Sequence, residues 1–353
     1  YKEAMATYGS DKPDLRNPLV ICDVTEVFSR ADVEFKAFKG TIEKGGVVRA
    51  IRAPKVSDQP RSFFDKLNSW AQAQGAPGLG YILFDHPPTQ PSPHGGEGKG
   101  GGAAMEGKGP IAKFVPAAAQ AELCKLAKIE PGDAVFFICN NEKEASKLAG
   151  QARDKICDDM GIREKGVYKF CWIVDFPMYE FDDKAQKIDF SHNPFSMPQG
   201  GLEALNSQDP LNIKATQYDM VCNGYELSSG GIRNHRPDIM EKAFALAPHR
   251  PAYRYNLAYV LDLEGRDEEA YRHYKILWEQ DKSFVWAGMR IAMVEYINDN
   301  SQLEASIKQL EETLQYHADW ADLHFLLGVF NALADKETLA VDYFATAMRM
   351  VRG

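Results

Sequence analysis

Two acids and an arginine lie close together in this sequence, between positions 219 and 233. Asp219 and Glu226 stand on either side of Asn223-Gly224, a dipeptide typical of two-residue β-hairpin turns. Such a turn would fold the two carboxylates toward one another. Because Mg²⁺ is usually held by one or two carboxylates together with substrate phosphates, the pair suits magnesium-bound ATP. The alternative is a pair of solvated surface acids.

Arg233 lies seven positions after Glu226 and carries a planar guanidinium. That group can hold a carboxylate through two parallel hydrogen bonds, which the point charge of a lysine cannot imitate. A surface arginine in a salt bridge is the alternative interpretation. The run 228–231, Ser-Ser-Gly-Gly, lies between the two charged residues, and its glycines would let the backbone approach a ligand closely. We expect these glycines to support the site.

A second polar pair, His192 and Asn193, lies in the proline-bounded loop 191–198. Histidine titrates near neutral pH, whereas asparagine keeps a donor and an acceptor but does not titrate there. An isolated loop histidine is otherwise a surface residue. Two apolar runs must position these side chains. Residues 168–180 are too apolar for a surface strand and predict a central one, and residues 217–221 predict a strand that carries one acid.

Several segments together resemble a known family. WIVDFPMYE (172–180), SHNPFSMP (191–198) and YDMVCNGYELSSGGIRNHRP (218–237) follow one another in the order found in the C-terminal part of the class II catalytic core of bacterial aspartyl-tRNA synthetases. YGSDKPDLR (8–16) resembles the segment that precedes the insertion domain of that family. The resemblance covers about residues 1–246. It implies an aspartate–tRNA ligase, which joins L-aspartate to ATP as aspartyl-adenylate, releases pyrophosphate and passes the aspartyl group to tRNA.

The resemblance also implies roles for individual residues. Arg233 matches the arginine that grips the side-chain carboxylate of the aspartate substrate, and His192 and Asn193 match a pair at the same substrate. Asp219 and Glu226 match the acids that bind ATP and its Mg²⁺. Many relatives have histidine in place of the asparagine. No residue is assigned as a catalytic acid, base or nucleophile, and members of the family are homodimers.

Two class II motifs, whose arginines bind the α- and γ-phosphates of ATP, do not occur in this sequence. One is expected just before Tyr1 and the other some tens of residues after Phe244. An N-terminal anticodon-binding barrel does not occur either. Because one fixed donor can contribute about 10² to 10³ in rate, we expect the chain alone to be a weak or inactive catalyst. Whether it would charge tRNA for aspartate alone or also for asparagine stays open.

Four regions follow from these patterns. Residues 1–25 form an N-terminal segment of the catalytic core, 26–165 an α/β insertion domain, 166–246 a partial class II core and 248–353 three helical repeats. The predicted fold class is therefore α+β. It combines a partial antiparallel synthetase sheet and the α/β insertion domain with an all-α stack that resembles tetratricopeptide repeats.

Hydrophobic patterning predicts alternating strands and helices in the insertion domain. The predicted strands are 46–53, 80–85, 111–115 and 134–139, and the predicted helices are 61–74, 117–127 and 142–160. Residues 86–109 are rich in proline and then glycine, which predicts a disordered loop. Their glycine spacing is not framed by a strand and a helix, so we reject a phosphate-binding loop there.

Small residues recur with a period near 35 in the last hundred residues. Ala270, Ala305 and Ala340 are 35 apart, as are Tyr274, Gln309 and Phe344, while Ala258, Ala292 and Gly328 are 34 and 36 apart. This period predicts three tetratricopeptide-like helical hairpins. The predicted helices are 250–263, 266–280, 284–297, 301–317, 320–333 and 336–350.

Such a stack offers the rival function, a module that binds a peptide or protein partner while the synthetase part is a remnant. Aromatic residues would line its binding surface or, alternatively, form its core. These are Tyr253, Tyr255, Tyr274, Trp278, Trp286, Phe325 and Phe344.

Composition restricts the class of protein. The 353 residues carry a net charge of −9, which argues against a general nucleic-acid coat but allows a local tRNA-binding patch. Six cysteines are scattered without a CxxC pair, so neither a zinc site nor a disulfide framework is indicated. No apolar run is long enough to span a membrane and no signal-peptide pattern is present, which predicts a cytoplasmic protein.

Overall fold

A computed structural model describes residues 1–85, 105–193, 195–248 and 251–352. The chain divides into two compact units, one formed by residues 1–175 and 218–230 and the other by residues 176–217 and 231–353. Most of the loop predicted at 86–109 lies outside the described residues. Its last part, Glu106–Lys108, forms a short strand, so that part of the loop prediction was wrong.

The first unit contains a five-stranded sheet in the order β1-β2-β5-β3-β4. Every neighbouring pair in this sheet is antiparallel. The strands are β1 Ile21–Asp23, β2 Val47–Ala53, β3 Gly80–Asp85, β4 Glu106–Lys108 and β5 Asp133–Asn140.

Helices cover both faces of this sheet. They are α1 Lys2–Tyr8, α2 Thr25–Ser29, α3 Lys36–Ile42, α4 Arg61–Ala73, α5 Ala117–Leu126 and α6 Glu142–Met160. Alternate residues of β5 point to opposite faces, so Phe136 belongs to the core cluster that contains Leu67 and Ile156, whereas Phe137 belongs to the cluster that contains Phe28 and Leu123. Both faces are buried, which explains why β5 reads as a continuous apolar run.

Most predicted elements of the insertion domain match the structure within two residues at each end. The strand predicted at 111–115 was wrong, because Ala112–Phe114 is a short 3₁₀ helix. Ile111 and Val115 are buried although they join no strand, and a short apolar run does not by itself distinguish a strand from other buried segments.

A close contact between two glycines ties the N-terminal segment to α6. Gly9 ends α1 with a φ of 69°. A Cβ on Gly9 would lie 2.4 Å from the carbonyl oxygen of Ser146, and one on Gly150 would lie 2.6 Å from the carbonyl oxygen of Gly9. Neither position therefore has room for a side chain. The contact fixes where the segment 8–16 leaves α1.

The chain then forms five further strands, β6 Phe170–Pro177, β7 Tyr179–Asp182, β8 Lys187–Phe190, β9 Lys214–Cys222 and β10 Tyr225–Gly231. Three of them make a sheet in the order β10-β9-β6, and β7 pairs with β8. The prediction of a central strand at 168–180 was wrong, because β6 is an edge strand of the sheet formed by the described residues. Phe170 and Trp172 on β6 are 59% and 60% exposed.

In the second unit, α7 Gly201–Ser207 and α8 Pro237–Leu246 pack with the β7–β8 hairpin around one core cluster. That cluster includes Tyr179, Phe190, Leu205 and Ile239.

Three helical hairpins complete the second unit. Their helices are α9 Pro251–Leu263, α10 Asp267–Gln280, α11 Val285–Asn298, α12 Leu303–Tyr316, α13 Ala321–Leu333 and α14 Glu337–Arg352. All six lie within two residues of the predicted bounds. Ala258 and Ala292 are fully buried, and a Cβ on Gly328 would lie 2.6 Å from the Phe344 ring. The small residues therefore do mark helix crossings.

The repeat alignment was wrong in the second hairpin. Ala305 is exposed, whereas Ser306 and Leu310 are fully buried and take the places assigned to Ala305 and Gln309. A 3₁₀ turn, Asn300–Gln302, precedes α12. This turn accounts for a one-residue shift that a fixed spacing of 35 does not reveal.

Candidate substrate site

A tight hairpin carries the two predicted metal and ATP ligands. Asn223 and Gly224 form the two-residue turn between β9 and β10, with φ angles of 53° and 87°. Positive φ at both central residues is the signature of a type I′ turn. The predicted hairpin is therefore confirmed. Asp219 and Glu226 lie on neighbouring strands, each within four residues of this turn.

The asparagine side chain secures the turn against the segment before β6. Asn223 Oδ1 accepts a hydrogen bond of 3.0 Å from the Lys169 backbone N–H, and its Nδ2 donates one of 2.9 Å to the Val167 carbonyl. These two hydrogen bonds fix the orientation of the hairpin relative to residues 167–169.

Glu226 has an ion-pair partner that sequence reasoning missed. Its carboxylate lies 3.2 Å from Lys12 Nζ, which also pairs with Asp11 at 2.9 Å. Burial opposes the charged form of Lys12, but the hydrogen bonds and negative charges of these two acids outweigh it and raise the pKa of the lysine. Lys12 lies in the YGSDKPDLR segment, which carries part of the family resemblance.

Asp14, which lies in the same segment, is the centre of a cluster with two arginines. Asp14 pairs with Arg16 at 2.8 Å and with Arg163 at 2.6 Å. Burial acts to raise the pKa of Asp14, but hydrogen bonds from both guanidiniums prevail and lower it to about 2. Gly224 faces this cluster, since a Cβ built on it would lie 3.5 Å from Asp14 Cβ. The N-terminal segment thus supports the hairpin turn.

The two carboxylates are a donor set that suits Mg²⁺ bound to phosphates. Magnesium takes one or two carboxylates and leaves its other positions to phosphate oxygens and water. Asp219 is half-buried and Glu226 is exposed, so both can be approached from solvent. Within the described part of the chain, no cluster of three or more His, Cys, Asp or Glu residues could hold a metal by itself.

In the second unit, two extended segments hold Arg233. Met197 donates its backbone N–H to the Ile232 carbonyl at 2.7 Å, and Asn234 donates to the Phe195 carbonyl at 2.6 Å. The Arg233 guanidinium lies 5.7 Å from the centroid of the Phe195 ring. Arg233 is exposed, and it has no carboxylate partner among the described residues. It is therefore an oriented and available cation.

His192 and Asn193 begin the segment that pairs with the extended segment around Arg233. The His192 ring meets the Phe176 ring edge to face at 5.0 Å. Asn193 Oδ1 accepts a hydrogen bond of 2.9 Å from the Phe195 backbone N–H. The asparagine therefore shapes the loop that supports Arg233, a role that does not require a titratable ring. Pro194 lies outside the described residues.

The glycines beside the site pack closely against neighbouring atoms. A Cβ on Gly231 would lie 2.9 Å from the Thr216 carbonyl oxygen and 3.1 Å from Ser196 Oγ, and one on Gly230 would lie 2.7 Å from the Tyr218 ring. The close approach expected for these glycines is to neighbouring protein atoms.

The five predicted residues fall into two groups. Arg233, His192 and Asn193 belong to the second unit, where the loop that begins with His192 and Asn193 pairs through its later residues with the segment that contains Arg233. Asp219 and Glu226 belong to the first unit, where one hairpin carries both.

None of the helices in the described ranges has the length and apolar character that a membrane span requires.

Comparison with known proteins shows which family the chain matches. The sequence model described as "tRNA synthetases class II (D, K and N)" matches residues 1–274. The chain is 60% identical over 247 residues to an aspartate–tRNA(Asp/Asn) ligase from Beijerinckia indica subsp. indica, which covers 70% of this chain and 39% of the relative. It is 56% identical over 253 residues to the ligase of the same name from Methylorubrum extorquens, covering 70% and 40%.

The chain thus spans about two fifths of the length of these curated relatives. Solved structures give a more remote likeness. The MamA RS-1 ArsTM double mutant is 19% identical with a TM-score of 0.29, covering 33% of this chain and 64% of that one. YrrB, titled a TPR protein with an unusual peptide-binding site, is 18% identical with a TM-score of 0.29, covering 32% and 58%.

The family match includes both groups of predicted site residues and extends into α10. The motifs that predicted it, from YGSDKPDLR to the Arg233 segment, all lie within the matched residues. The chain belongs to the class II tRNA synthetases of the D, K and N group, and its curated relatives in that family are aspartate–tRNA ligases.

Proposed function

We propose that this chain carries the aspartate-binding and ATP-binding residues of an aspartate–tRNA ligase, and that by itself it activates L-aspartate only weakly. The observation that carries the proposal is the state of Arg233. This arginine is exposed, is oriented by the Phe195 ring and lacks a carboxylate partner among the described residues. A substrate carboxylate supplies the partner that it lacks.

Arg233 favours aspartate over asparagine, its amide. Arg233 can donate two parallel hydrogen bonds to the side-chain carboxylate of aspartate, whereas asparagine offers one acceptor oxygen and no charge. His192 lies in the adjacent loop and adds a polar contact to the same substrate. Hydrogen bonds to charged groups contribute about 1.5–3 kcal/mol each, enough for this contact to select the substrate.

Asp219 and Glu226 would hold Mg²⁺ on the phosphates of ATP. When bound, the metal neutralises phosphate charge during attack on the α-phosphate. An oxygen of the α-carboxylate of aspartate then bonds to the α-phosphorus, and the bond to the bridging oxygen breaks as pyrophosphate leaves. Lys12, beside Glu226, is a further cation that the phosphates would meet. The aspartyl group then passes from the adenylate to tRNA.

The low activity follows from the residues that hold phosphate. Among the residues described, the two acids predicted to hold nucleotide and the neighbouring Lys12 proposed here provide a single cation, and the sequence does not contain the arginine motifs of the class. Fixed cationic donors supply much of the stabilisation of a phosphoryl transition state, about 10² to 10³ in rate for each donor.

The test is aspartate-dependent exchange of pyrophosphate into ATP by the purified chain. We expect slow exchange that requires L-aspartate and Mg²⁺ and is lost in Arg233→Ala. Arg236→Ala is the matched control, because Arg236 is an exposed arginine nearby that is already paired with Asp238. Exchange that asparagine supports equally, or that survives Arg233→Ala, would contradict the proposal.

A second candidate function, peptide binding by the helical hairpins, is favoured by one repeated feature. Leu263, Ile297 and Leu333 lie at the ends of the first helices of the three hairpins and are 69%, 67% and 48% exposed. Of the seven aromatic candidates, Tyr253, Tyr274 and Trp278 are buried core residues, whereas Trp286 and Phe325 are exposed. Leu263, Ile297 and Leu333 thus offer a peptide one exposed apolar contact in each hairpin.

The charge of the repeats indicates the kind of peptide. Residues 251–353 contain ten Lys or Arg and seventeen Asp or Glu residues, so a basic peptide with spaced apolar residues is the complementary partner. A leucine–lysine peptide should bind the chain, and Ile297→Glu should weaken binding while Ile276→Glu on α10 does not. Equal weakening by both variants would contradict this candidate.

A further inference from the structure

A cavity of about 730 Å³ lies in the first unit, within the region predicted as the insertion domain. Its volume falls in the range of about 300–1,000 Å³ that is typical of small-molecule sites. Residues of α3, of α4 and of the segment that enters β3 line it. Among its described lining residues, none is predicted to bind aspartate, ATP or Mg²⁺. The cavity is therefore separate from the proposed ligase site.

Aromatic side chains form much of the cavity wall. The Phe38 ring of α3 meets the Phe35 ring edge to face at 4.7 Å, and the Phe64 ring of α4 stacks on Tyr81 of β3 at 4.5 Å. Phe35, Phe38 and Tyr81 are only half-buried, and all three line the cavity. Aromatic rings form stacked and edge-to-face contacts with one another and with nucleobases. The wall therefore suits a planar aromatic ligand.

Asn68 places an oriented amide at this wall. Its Oδ1 accepts a hydrogen bond of 2.9 Å from the Leu79 backbone N–H, which fixes the direction of the amide and leaves Oδ1 a second lone pair. Nδ2 donates to no acceptor among the described residues. An asparagine amide pairs with adenine in two places, since Nδ2 donates to N7 while Oδ1 accepts from the N6 amino group. Asn68 thus matches the edge of an adenine base.

Two charged residues extend this polar row along α4. Arg61, Asp65 and Asn68 are spaced by four and three positions, so they lie on one face of the helix. The Arg61 and Asp65 side chains are 89% and 64% exposed, whereas Asn68 is half-buried. The row therefore runs from solvent into the cavity. At a rise of 1.5 Å per residue it spans about 10 Å, which is comparable to the length of a nucleoside monophosphate.

The charged pair at the mouth remains available to a ligand. Arg61 and Asp65 lie 3.6 Å apart, and an exposed ion pair of this kind contributes little to stability. A carboxylate can accept hydrogen bonds from ribose hydroxyls, and a guanidinium binds phosphate through parallel hydrogen bonds. Both charges at the mouth therefore match groups of the same ligand class that Asn68 indicates.

We propose that this cavity binds a free adenine nucleotide that carries one phosphate. The base lies against the aromatic wall with its N6 and N7 edge on Asn68, the ribose hydroxyls meet Asp65 and the phosphate meets Arg61. Guanine fits less well, because it presents an oxygen acceptor in place of the N6 amino group that Oδ1 requires. Binding here depends neither on Mg²⁺ nor on L-aspartate, so it is independent of the proposed ligase function.

The test is isothermal titration calorimetry of the full chain with adenosine monophosphate in the absence of Mg²⁺. We expect saturable binding at one site, with guanosine monophosphate weaker by about tenfold or more. Asn68→Asp keeps the acceptor for Leu79 but removes the Nδ2 donor, so it should weaken binding by a similar factor. Gln74→Glu, the same amide-to-acid change at an exposed residue that follows α4, is the matched control and should leave the affinity unchanged.

A second variant does not alter any buried group. Arg61→Ala should weaken adenosine monophosphate by about two- to fivefold, as expected for an exposed charge pair, and leave unphosphorylated adenosine unaffected. Glu226→Gln should leave both affinities unchanged, because Glu226 belongs to the separate site proposed for Mg–ATP.

Three results would overturn the proposal. One is the absence of binding by the original chain, and another is equal binding of the adenine and guanine nucleotides. The third is binding that Glu226→Gln weakens and Arg61→Ala does not. A single-stranded oligoadenylate that binds more tightly than adenosine monophosphate would overturn the assignment to a free nucleotide.

Discussion

At the scale of single residues, motifs were the informative part of the sequence. The order of the family motifs predicted Arg233, His192 and Asn193 as substrate-binding residues. In the structure, the segments that contain them pair with each other. Lys12 was missed because its pairing with Glu226 joins the N-terminal segment to a hairpin more than two hundred positions later. Such a contact depends on tertiary structure, and no local pattern in the sequence reveals it.

Asp14 gives a residue-scale prediction about pH. Its pKa falls from 3.8 to about 2 in the folded chain, so its charge stabilises the fold above pH 3.8, and this contribution is lost as the pH falls through about 2. The size of the shift corresponds to about 2 kcal/mol. Asp14→Asn should lower the free energy of unfolding by about this amount at pH 7, with a difference that shrinks between about pH 5 and pH 2.

The measurement is urea unfolding of both proteins at several pH values and constant salt. Asp58→Asn, at an exposed residue, is the matched control and should show no such dependence on pH. A constant difference between Asp14→Asn and the original chain at all pH values would contradict the role of the Asp14 charge.

At the scale of elements, periodicity predicted the long helices well. The ends of α6 were predictable as well, because both carry typical capping residues. Asn141 accepts a hydrogen bond from the Glu144 backbone N–H at the start of the helix, and Gly161 ends it with a φ of 67°. These caps are visible in the sequence. The edge position of β6 was not, because an apolar run does not show whether neighbouring strands cover it. The register shift near Ala305 was hidden for a similar reason, because a single extra turn residue leaves the helix pattern intact.

The glycine contact between α1 and α6 gives a prediction at this scale. Gly150→Ala places a Cβ 2.6 Å from the backbone of Gly9, and because backbone atoms cannot rotate away, the N-terminal segment must shift. We expect a loss of about 1–3 kcal/mol in the free energy of unfolding. Gly40→Ala in α3 is the control, since nothing lies within 4 Å of a Cβ there, and it should stabilise the chain by about 0.5–1 kcal/mol.

Urea unfolding followed by far-ultraviolet circular dichroism measures both variants. If Gly150→Ala proved as stable as the original chain, the tight packing of the N-terminal segment on α6 would be refuted.

At the scale of the whole molecule, the chain combines part of a class II synthetase with three helical hairpins. It spans about two fifths of its curated relatives, while α9–α14 are acidic and repeat with a period near 35. Fold class was predictable because both parts carry strong periodic or motif signals. The packing of β6 was not, because it depends on which strands lie beside it.

Aspartate binding by Arg233 is the property on which the proposed function depends most directly. Isothermal titration calorimetry with L-aspartate, in the presence of Mg–ATP, should show saturable binding by the chain and by Arg236→Ala. Arg233→Lys should bind at least about tenfold more weakly, because an ammonium lacks the planar pair of donors. Equal binding by Arg233→Lys, or no binding by the original chain, would contradict the account.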